Sequence, residues 1–286
     1  MPKVIVLTSS YNRREKTIRF LDSISKALVV GDIGYEVILI DDYSNDGTAI
    51  EVKEKYPETH LISGNGFLYW AGALRLGFKE IDKHIAGFDG VLIANDDIDF
   101  DEFALSKLIL LGIQREAMIG GPIMTRGGKV ESTGYRFGFI CRPKYRRMLT
   151  EKEYTKCDVL PGHVLYIPKS VYSKITPISK GYTHGFADFE LSLRAMELNI
   201  ERLVLGEVIG YVDEIHDYAA ESRSVNLDPK LAIWRLRFNP KAPPFSETSA
   251  YLKRVSRFLW VFWIPLFYFP HMISLFKCTK SKPSSN

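Results

Sequence analysis

The stretch GVLIANDDIDFD, residues 90–101, decides the fold class of this 286-residue chain. Gly90–Ala94 is a short apolar run typical of a strand buried on both faces, and it ends abruptly in Asn95-Asp96-Asp97. The apolar pattern of Phe103–Leu111 then predicts a helix, with Asp97, Asp99 or Asp101 as its N-cap. A buried strand, a polar loop and a helix form the repeating unit of a parallel α/β sheet.

The same unit occurs three times earlier in the chain, and the pattern predicts a doubly wound, mostly parallel sheet flanked by helices. Polar residues follow these strands at one sheet edge, where ligands bind in such folds. Shorter strands are predicted over 118–124, 129–139 and 158–168, and a helix over 188–199. The earlier strands and helices are predicted at 4–8, 18–28, 35–40, 60–62 and 70–83.

The loop after the first strand excludes several cofactor classes. TSSYNRREK, residues 8–16, contains no glycine, whereas a Rossmann dinucleotide site needs G-x-G-x-x-G there. The chain also lacks G-x-x-x-x-G-K-[ST], G-x-S-x-G and H-E-x-x-H motifs. The carboxylates Asp96 and Asp97 end a buried strand, which is costly without a cation. Such oxygen ligands suit Mg²⁺ or Mn²⁺ held together with substrate phosphates, although N-capping of the next helix is an alternative.

The C-terminal region differs in charge from the rest of the chain. Residues 222–286 contain 11 Lys and Arg but two acidic residues, a net charge of +9, whereas the first 221 residues carry −5. Within it, residues 258–276 (FLWVFWIPLFYFPHMISLF) have no charged side chain and are interrupted by Pro265 and Pro270. Aromatic content and basic flanks favour an interfacial or re-entrant membrane segment over a span. A proline-kinked core helix is the alternative, and no nucleic-acid binding is expected.

The two ends of the chain and its cysteines bear on localisation. Met1-Pro2-Lys3 precedes only five apolar or small residues, so we expect no signal peptide. The three cysteines, Cys141, Cys157 and Cys278, are odd in number and far apart, which suits a reducing compartment. We therefore expect the protein at the cytoplasmic face of the cell membrane.

The chain resembles the family 2 inverting glycosyltransferases of the GT-A fold, which use nucleotide-activated sugars. The resemblance rests on five segments in the family's order: VIVLTSSYNR (4–13), ILIDDYSNDGT (38–48), GNGFLYWAGALRLGF (64–78), LIANDDIDF (92–100) and FADFELSLRA (186–195). It implies a GT-A catalytic domain over residues 1–222, followed by a basic, aromatic membrane-associating region over 223–286. It also implies a nucleotide-diphosphate sugar donor and Mn²⁺ or Mg²⁺ as cofactor.

The resemblance also implies roles for individual residues on the donor side. Asn95-Asp96-Asp97 matches the Asp-x-Asp metal motif with asparagine in first place, so Asp97 would ligate the metal. A shifted motif, Asp97-Ile98-Asp99, remains an alternative. His216 matches a late histidine that some members place on the metal or diphosphate. Donor contacts are implied for Ser10, Tyr11, Arg13, Asp41, Asp42, Asn65, Arg75, Asn95 and Asp96.

On the acceptor side, Asp188 matches the family's catalytic base, although the acidic residue that usually precedes it is Ala187 here. Inversion needs a carboxylate opposite the leaving diphosphate, within reach of the attacking hydroxyl. Acceptor contacts are expected for Trp70, Gly162 and Glu190. The implied function is transfer of a hexose or deoxyhexose to a glycan hydroxyl, on an oligosaccharide or polyprenyl-diphosphate-linked acceptor, in bacterial cell-surface polysaccharide synthesis.

Two other functions remain open on the sequence alone. A sugar nucleotidyltransferase shares the α/β architecture and the metal, but it would need a glycine-rich basic loop after the first strand, which TSSYNRREK does not provide. A non-catalytic, membrane-associated sugar-nucleotide-binding protein would tolerate loss of Asp97 or Asp188, and both are present.

Overall fold

The order of strands and helices follows the alternation predicted from the sequence. A computed structural model of the chain describes residues 1–137, 145–213, 245–256, 259–266 and 268. The helices are α1 (Arg14–Val30), α2 (Thr48–Lys55), α3 (Tyr69–His84), α4 (Glu102–Arg115), α5 (Lys169–Ile175), α6 (Ala187–Glu197) and α7 (Phe245–Ser256).

The strands are short except for β1 and β2, which have eight residues each. They are β1 (Lys3–Ser10), β2 (Gly34–Asp41), β3 (His60–Ser63), β4 (Gly90–Ala94), β5 (Asp99–Phe100), β6 (Met118–Gly120), β7 (Ile123–Thr125), β8 (Val130–Ser132), β9 (Tyr135–Phe137), β10 (Tyr145–Arg147), β11 (Tyr154–Lys156), β12 (Val164–Pro168), β13 (Arg202–Leu205) and β14 (Gly210–Val212).

Within the described residues the central sheet has eight strands in the order β11-β13-β6-β12-β4-β1-β2-β3. The neighbours β3, β2, β1 and β4 are parallel to one another. Strand β12 runs antiparallel to β4 and β6, and β11 runs antiparallel to β13. The sheet is therefore mostly parallel, as predicted, with antiparallel strands in the half built from the middle of the chain.

The sequence pattern was wrong about the shorter strands. The strand predicted over 118–124 divides at Gly121-Pro122 into β6 of the central sheet and β7 of a second sheet, β5-β14-β7-β8. The strand predicted over 129–139 likewise divides into β8 and β9. Of the strand predicted over 158–168, the structure forms only β12. Proline has no N–H to contribute to a ladder, so Pro122 marks the point where the chain changes sheet.

Helices cover both faces of the central sheet. Alternate side chains of β1 face opposite ways, so Val4 and Val6 pack with α1, α2 and α4, whereas Ile5 and Leu7 pack with α3, α5 and α6. All four side chains are fully buried. Burial on both faces explains why these strands are continuous apolar runs instead of alternating patterns. The carboxyl ends of β1, β2 and β4 are thereby fixed at one edge.

The C-terminal helix α7 packs on the body of the molecule. Tyr251, Leu252 and Val255 of α7 are buried in a cluster with Phe189 and Leu193 of α6. Residues 245–256, which the sequence assigned to the membrane-associating region, thus share a core with the catalytic fold. Within the described ranges, no helix has both the length and the apolar composition needed to cross a bilayer.

Candidate active site

A buried pair of carboxylates ends strand β4 at the edge where the parallel strands terminate. Asp96 and Asp97 are 2% and 5% exposed. Nη1 of Arg13, from the loop after β1, lies 3.0 Å from Oδ1 of Asp96 and 3.1 Å from Oδ2 of Asp97. One guanidinium therefore joins the loops after β1 and β4, and it offsets part of the charge that burial would otherwise make costly.

The Asp96 carboxylate is also anchored to the start of α1. The hydroxyl of Thr17 donates to Oδ2 of Asp96 over 3.1 Å, and it lies 2.8 Å from the hydroxyl of Ser10. Burial raises the pKa of Asp96, an effect that Arg13 opposes and Asp97 reinforces. Ser10 is buried, whereas Tyr11 is 55% exposed at the rim of the same edge. Ser10, Tyr11 and Asp96 are all expected to contact the nucleotide-sugar donor, and of these three Tyr11 alone is exposed to solvent.

The two aspartates after β2 have different surroundings. Asp42 accepts hydrogen bonds from the backbone N–H groups of Gly66, Leu68 and Tyr69, at 2.8, 2.9 and 3.2 Å, so it fixes the loop that starts α3. Asp41 is 3% exposed, and its Oδ1 has no hydrogen-bond partner in the described part of the chain. Burial raises the pKa of Asp41. A buried acceptor without a donor marks a place for a ligand N–H or O–H.

The structure brings together three residues expected on the acceptor side, namely Trp70, Gly162 and Asp188. The backbone N–H of Gly162 donates to Oδ2 of Asp188 over 2.9 Å, and the N–H of Phe189 donates to Oδ1 over 2.8 Å. A Cβ on Gly162 would lie 2.2 Å from Cζ2 of Trp70 and 3.1 Å from Cβ of Asp188. Gly162 therefore sits between the indole and the carboxylate, and only glycine fits there.

The acceptor group and the carboxylates after β4 are joined through the backbone. Strand β12 is antiparallel to β4, with Val164 opposite Ala94, so the residues before β12 lie beside those after β4. The N–H of Asn95 donates to the carbonyl of His163 over 2.9 Å. The carboxylate of Asp188 is thus linked to the loop that carries Asp96 and Asp97 through the neighbouring residues Gly162 and His163 and the hydrogen bonds that they make.

Burial raises the pKa of Asp188, and the N–H groups of Gly162 and Phe189 oppose that rise. The carboxylate lies in the first turn of α6, where the helix dipole also favours its ionised form. A carboxylate whose pKa is raised is a stronger base than an exposed aspartate, and the two backbone donors fix where it points. Its surroundings are those expected of a group that removes a proton.

Two residues expected to contact substrates are engaged elsewhere. Nη1 of Arg75 donates to the carbonyls of Ser179 and Tyr182, at 3.1 and 2.9 Å. Glu190 is 1% exposed, and its Oε1 lies 2.9 Å from Nη2 of Arg194 and 3.1 Å from Nη1 of Arg254. These contacts hold the segment before α6 and do not support the substrate roles expected for Arg75 and Glu190.

The remaining expected residues are placed as follows. Asn65 is exposed, and its Oδ1 accepts from the N–H of Phe67 over 3.0 Å, so it shapes the loop before α3. Asn95 is partly exposed between His163 and Asp96. His216 lies outside the described residues, as do Cys141 and Cys278.

The shifted metal motif is disfavoured by the contacts of Asp99. Its Oδ1 lies 3.2 Å from Nε of Arg19, and its other oxygen pairs with Arg126. Both arginines also pair with Asp213. Asp99 therefore belongs to a surface ion-pair network with three other charged groups, whereas Asp97 faces Arg13 and Asp96.

The chemistry of the β4 end fits a divalent cation that is shared with a substrate. In the part of the chain that the structure describes, no cluster of three or more His, Cys, Asp or Glu side chains is arranged to hold a metal by itself. Mg²⁺ and Mn²⁺ need fewer protein ligands, because substrate phosphates and water complete their coordination. Asp97, with Asp96 beside it, supplies the carboxylate oxygens that such a cation takes.

Sequence reasoning missed two residues of the site. Thr17 was not singled out, although a hydroxyl one turn inside α1 and facing β4 can reach the end of that strand. His163 follows Gly162 directly, and its Nε2 lies 3.9 Å from Oε1 of the buried Glu131. Its position just before a strand that runs antiparallel to β4 would have placed it at this edge.

Comparison with known proteins agrees with this architecture. The family model described as glycosyl transferase family 2 matches residues 5–175, which is more than half of the chain. No curated protein sequence matches the chain.

Two solved structures resemble the fold. The mannosyltransferase PcManGT from Pyrobaculum calidifontis, solved with GDP-Man and Mn²⁺, is 15% identical, with a TM-score of 0.57 over 99% of this chain and 76% of its own. S. aureus TarS 1-349 in complex with UDP-GlcNAc is 12% identical, with a TM-score of 0.56 over 97% of this chain and 89% of its own. The fold is therefore GT-A-like, and the chain belongs to glycosyl transferase family 2.

Proposed function

We propose that this protein is a metal-dependent, inverting glycosyltransferase that moves a hexose or deoxyhexose from a nucleotide-diphosphate donor to a hydroxyl of a glycan acceptor. The observation that carries the proposal is the position of two carboxylate sites on adjacent loops at one sheet edge. Asp97 and Asp96 end β4, and Asp188 is held by the N–H of Gly162 beside them. The bound GDP-Man and UDP-GlcNAc of the two similar structures support a nucleotide-sugar donor.

In this proposal each side of the edge has its own task. Asp41, with its unpaired buried oxygen, accepts a hydrogen bond from the nucleoside. Arg13 and Asp97 face the diphosphate, and a bound Mg²⁺ or Mn²⁺ would offset the negative charge that develops on it. Asp188 takes the proton from the attacking hydroxyl, because burial raises its pKa and makes it a stronger base, while its backbone donors hold it in place at the acceptor side. The indole of Trp70, on the other side of Gly162, gives the acceptor sugar an apolar face to stack on.

We further propose that the acceptor is a polyprenyl-diphosphate-linked glycan of cell-surface polysaccharide synthesis, and that the protein works at the cytoplasmic face of the membrane. The support is the net charge of +9 over residues 222–286 together with the exposed side chains of Leu259, Val261, Phe262 and Leu266. An apolar surface with basic neighbours suits an anionic lipid surface.

The test is an assay of the full chain with UDP-, dTDP- and GDP-sugars, with and without Mn²⁺ or Mg²⁺. We expect one donor to bind and to be consumed in a cation-dependent manner, and the product to have the opposite anomeric configuration by NMR. Retention of configuration would contradict the inverting mechanism. Release of diphosphate from a nucleoside triphosphate and a sugar 1-phosphate would indicate a nucleotidyltransferase. Donor binding without turnover on any glycan lipid would indicate a binding protein.

A further inference from the structure

The segment that leads into α6 connects the C-terminal helix α7 to Trp70 and Asp188, two residues expected on the acceptor side. Residues 176–186 lead from α5 into α6, and their backbone is held at several points. Arg75 donates to the carbonyls of Ser179 and Tyr182, and Arg194 donates to those of Ile175 and Pro177, at 2.9 and 2.8 Å. The segment is therefore a fixed part of the fold between α3 and α6.

Thr183 is the point where this segment contacts α7. Oε1 of Glu247 accepts a hydrogen bond of 3.0 Å from the N–H of Thr183. The carbonyl of Thr183 in turn accepts from the N–H of Ala71 over 3.1 Å. Ala71 follows Trp70 directly in the first turn of α3. One residue, Thr183, thus links a carboxylate of α7 to the backbone N–H that follows Trp70.

A second contact joins α7 to Asp188. The ring of Tyr251 stacks on that of Phe186, with centroids 4.2 Å apart and planes within 2° of parallel. Phe186 is the residue before α6, and its φ of 55° is unusual for a side chain of this size. The stacking holds this conformation, which sets the direction of the first turn of α6 and therefore of Asp188.

Glu247 is an unusual residue to find at such a contact. Its side chain is 1% exposed, and Oε2 has no hydrogen-bond partner among the described residues. Burial raises the pKa of Glu247, and the hydrogen bonds of Thr183 and, to a smaller extent, the charge of Arg75 oppose that rise. An apolar residue would avoid the cost of burying a carboxylate if packing were the only role of this position.

We infer that α7 is a positioning element of the active site, in which Glu247 fixes Thr183 and Tyr251 fixes Phe186. Through these two residues α7 holds Trp70 and Asp188 in place on the two sides of Gly162. The inference rests on the proposed function for its catalytic consequence. It makes the C-terminal region a part of the acceptor side and not only an attachment to a lipid surface.

The first test needs no substrate. Hydrogen–deuterium exchange of the full chain is compared for the wild type, Glu247→Ala, Glu247→Gln and the neighbouring exposed-site control Ser246→Ala. We expect faster exchange in Glu247→Ala at residues 69–72 and 179–189, and wild-type exchange in Ser246→Ala. Glu247→Gln should stay close to the wild type, because its carbonyl can still accept from Thr183. Unchanged exchange in Glu247→Ala, or an equal rise throughout the chain, would overturn the inference.

The second test measures catalysis with the donor alone. UDP-, dTDP- and GDP-sugars serve as probes, and the slow hydrolysis of the bound donor reports on Asp188 acting on water. We expect Glu247→Ala to lower the hydrolysis rate about tenfold to a hundredfold through misplacement of Asp188, with the donor Kd within about twofold of the wild type. Wild-type hydrolysis in a variant with altered exchange would overturn the inference. A wild-type chain that neither binds nor hydrolyses any donor would contradict the proposed function, whereas the exchange experiment would still decide the role of α7.

Discussion

The backbone N–H of Gly162 donates a 2.9 Å hydrogen bond to Oδ2 of Asp188. Because β12 lies antiparallel beside β4, this bond places the carboxylate of α6 next to the loop that ends in Asp97. The residues expected on the acceptor side and those expected on the donor side therefore meet at Gly162, two residues before β12 begins. In the proposed function this arrangement puts the base and the cation site on adjacent loops of one rigid sheet, where precise placement of reacting groups is easiest to maintain.

Replacement of Gly162 by alanine tests this arrangement. The new Cβ would lie 2.2 Å from Cζ2 of Trp70, so the indole, the loop or Asp188 must move. We expect a loss of about 1–3 kcal/mol in the free energy of unfolding from overpacking and about a hundredfold loss of turnover from misplacement. Gly181→Ala is the matched control, because a Cβ at Gly181 meets no atom within 4 Å.

Chemical denaturation and steady-state kinetics of the two alanine variants give the comparison. Gly162→Ala with wild-type turnover would show that the close approach of Trp70 and Asp188 is not needed for catalysis.

The pH dependence should reveal the raised pKa of Asp188. The proton-accepting form is the carboxylate, so turnover should fall on the acid side at a pH above the ordinary aspartate value of 3.8. Stability should change in the opposite sense. The native state binds a proton on Asp188 over a range in which the unfolded chain has released it, so ionisation lowers stability as pH rises from 3.8 through the native pKa.

The measurement is the pH profile of donor hydrolysis, together with the free energy of unfolding of the wild type and Asp188→Asn over the same range. As pH rises through this range, the free energy of unfolding of the wild type should fall relative to that of Asp188→Asn. A difference that is independent of pH would contradict a raised native pKa for Asp188.

The sequence predicted the donor edge better than the acceptor edge. Strand β4 has the predicted bounds, and Asp101 caps α4 by accepting from the N–H groups of Phe103 and Ala104. Both features depend on local sequence, since the buried apolar strand, the polar residues that end it and the N-cap of the next helix all lie within a dozen residues. Asp42 was placed at the right strand end, but the fact that its carboxylate holds the loop before α3 depends on a contact 24 residues away.

Glu190 shows why the acceptor edge was harder to predict. It lies two residues after Asp188, and at 3.6 residues per turn its side chain points about 200° away around α6. It therefore faces Arg194 and Arg254 in the interior when Asp188 faces Gly162. The helical period alone indicates that Glu190 and Asp188 point to different sides of α6. The partner Arg254 could not have been predicted, because the charge pattern assigned it to the tail.

Substitution of Asp97 and Asp99 separates the two possible metal motifs. Asp97→Asn should remove most of the Mg²⁺ or Mn²⁺ dependence of donor binding, because Asp97 is the carboxylate that faces Arg13 at the end of β4. Asp99→Asn should leave that dependence unchanged and cost about 0–1 kcal/mol of stability, since it breaks a solvent-accessible network with Arg19 and Arg126.

Titration calorimetry of the donor with and without EDTA measures both effects. Loss of cation-dependent binding in Asp99→Asn would favour the shifted motif Asp97-Ile98-Asp99.

The segment 259–266 is expected to contact lipid. Its exposed side chains include Phe262, which is 71% exposed, while Trp260 and Trp263 pack on the core that contains α7. Phe262→Asp should lower binding to vesicles of mixed anionic and neutral phospholipid by about tenfold or more, because burying a phenyl ring contributes about 1.5–3 kcal/mol. Truncation after Ser256, which keeps α7, should lower it further.

Vesicle sedimentation at several salt concentrations measures this binding. Phe103→Asp is the control, because Phe103 is similarly exposed, at 74%, on α4. Equal sedimentation of the truncated chain and the full chain would show that residues 257–286 are not the lipid-binding surface.

The role of Asp188 as the base is tested most directly by Asp188→Asn. The variant should bind the nucleotide-sugar donor with a Kd close to that of the wild type, because the donor residues lie at the ends of β1, β2 and β4. Its single-turnover rate of sugar transfer should fall by about a hundredfold or more. The exposed Asp32→Asn variant, in the turn before β2, serves as the matched control and should transfer sugar at the wild-type rate. Full transfer by Asp188→Asn with normal donor binding would contradict the account.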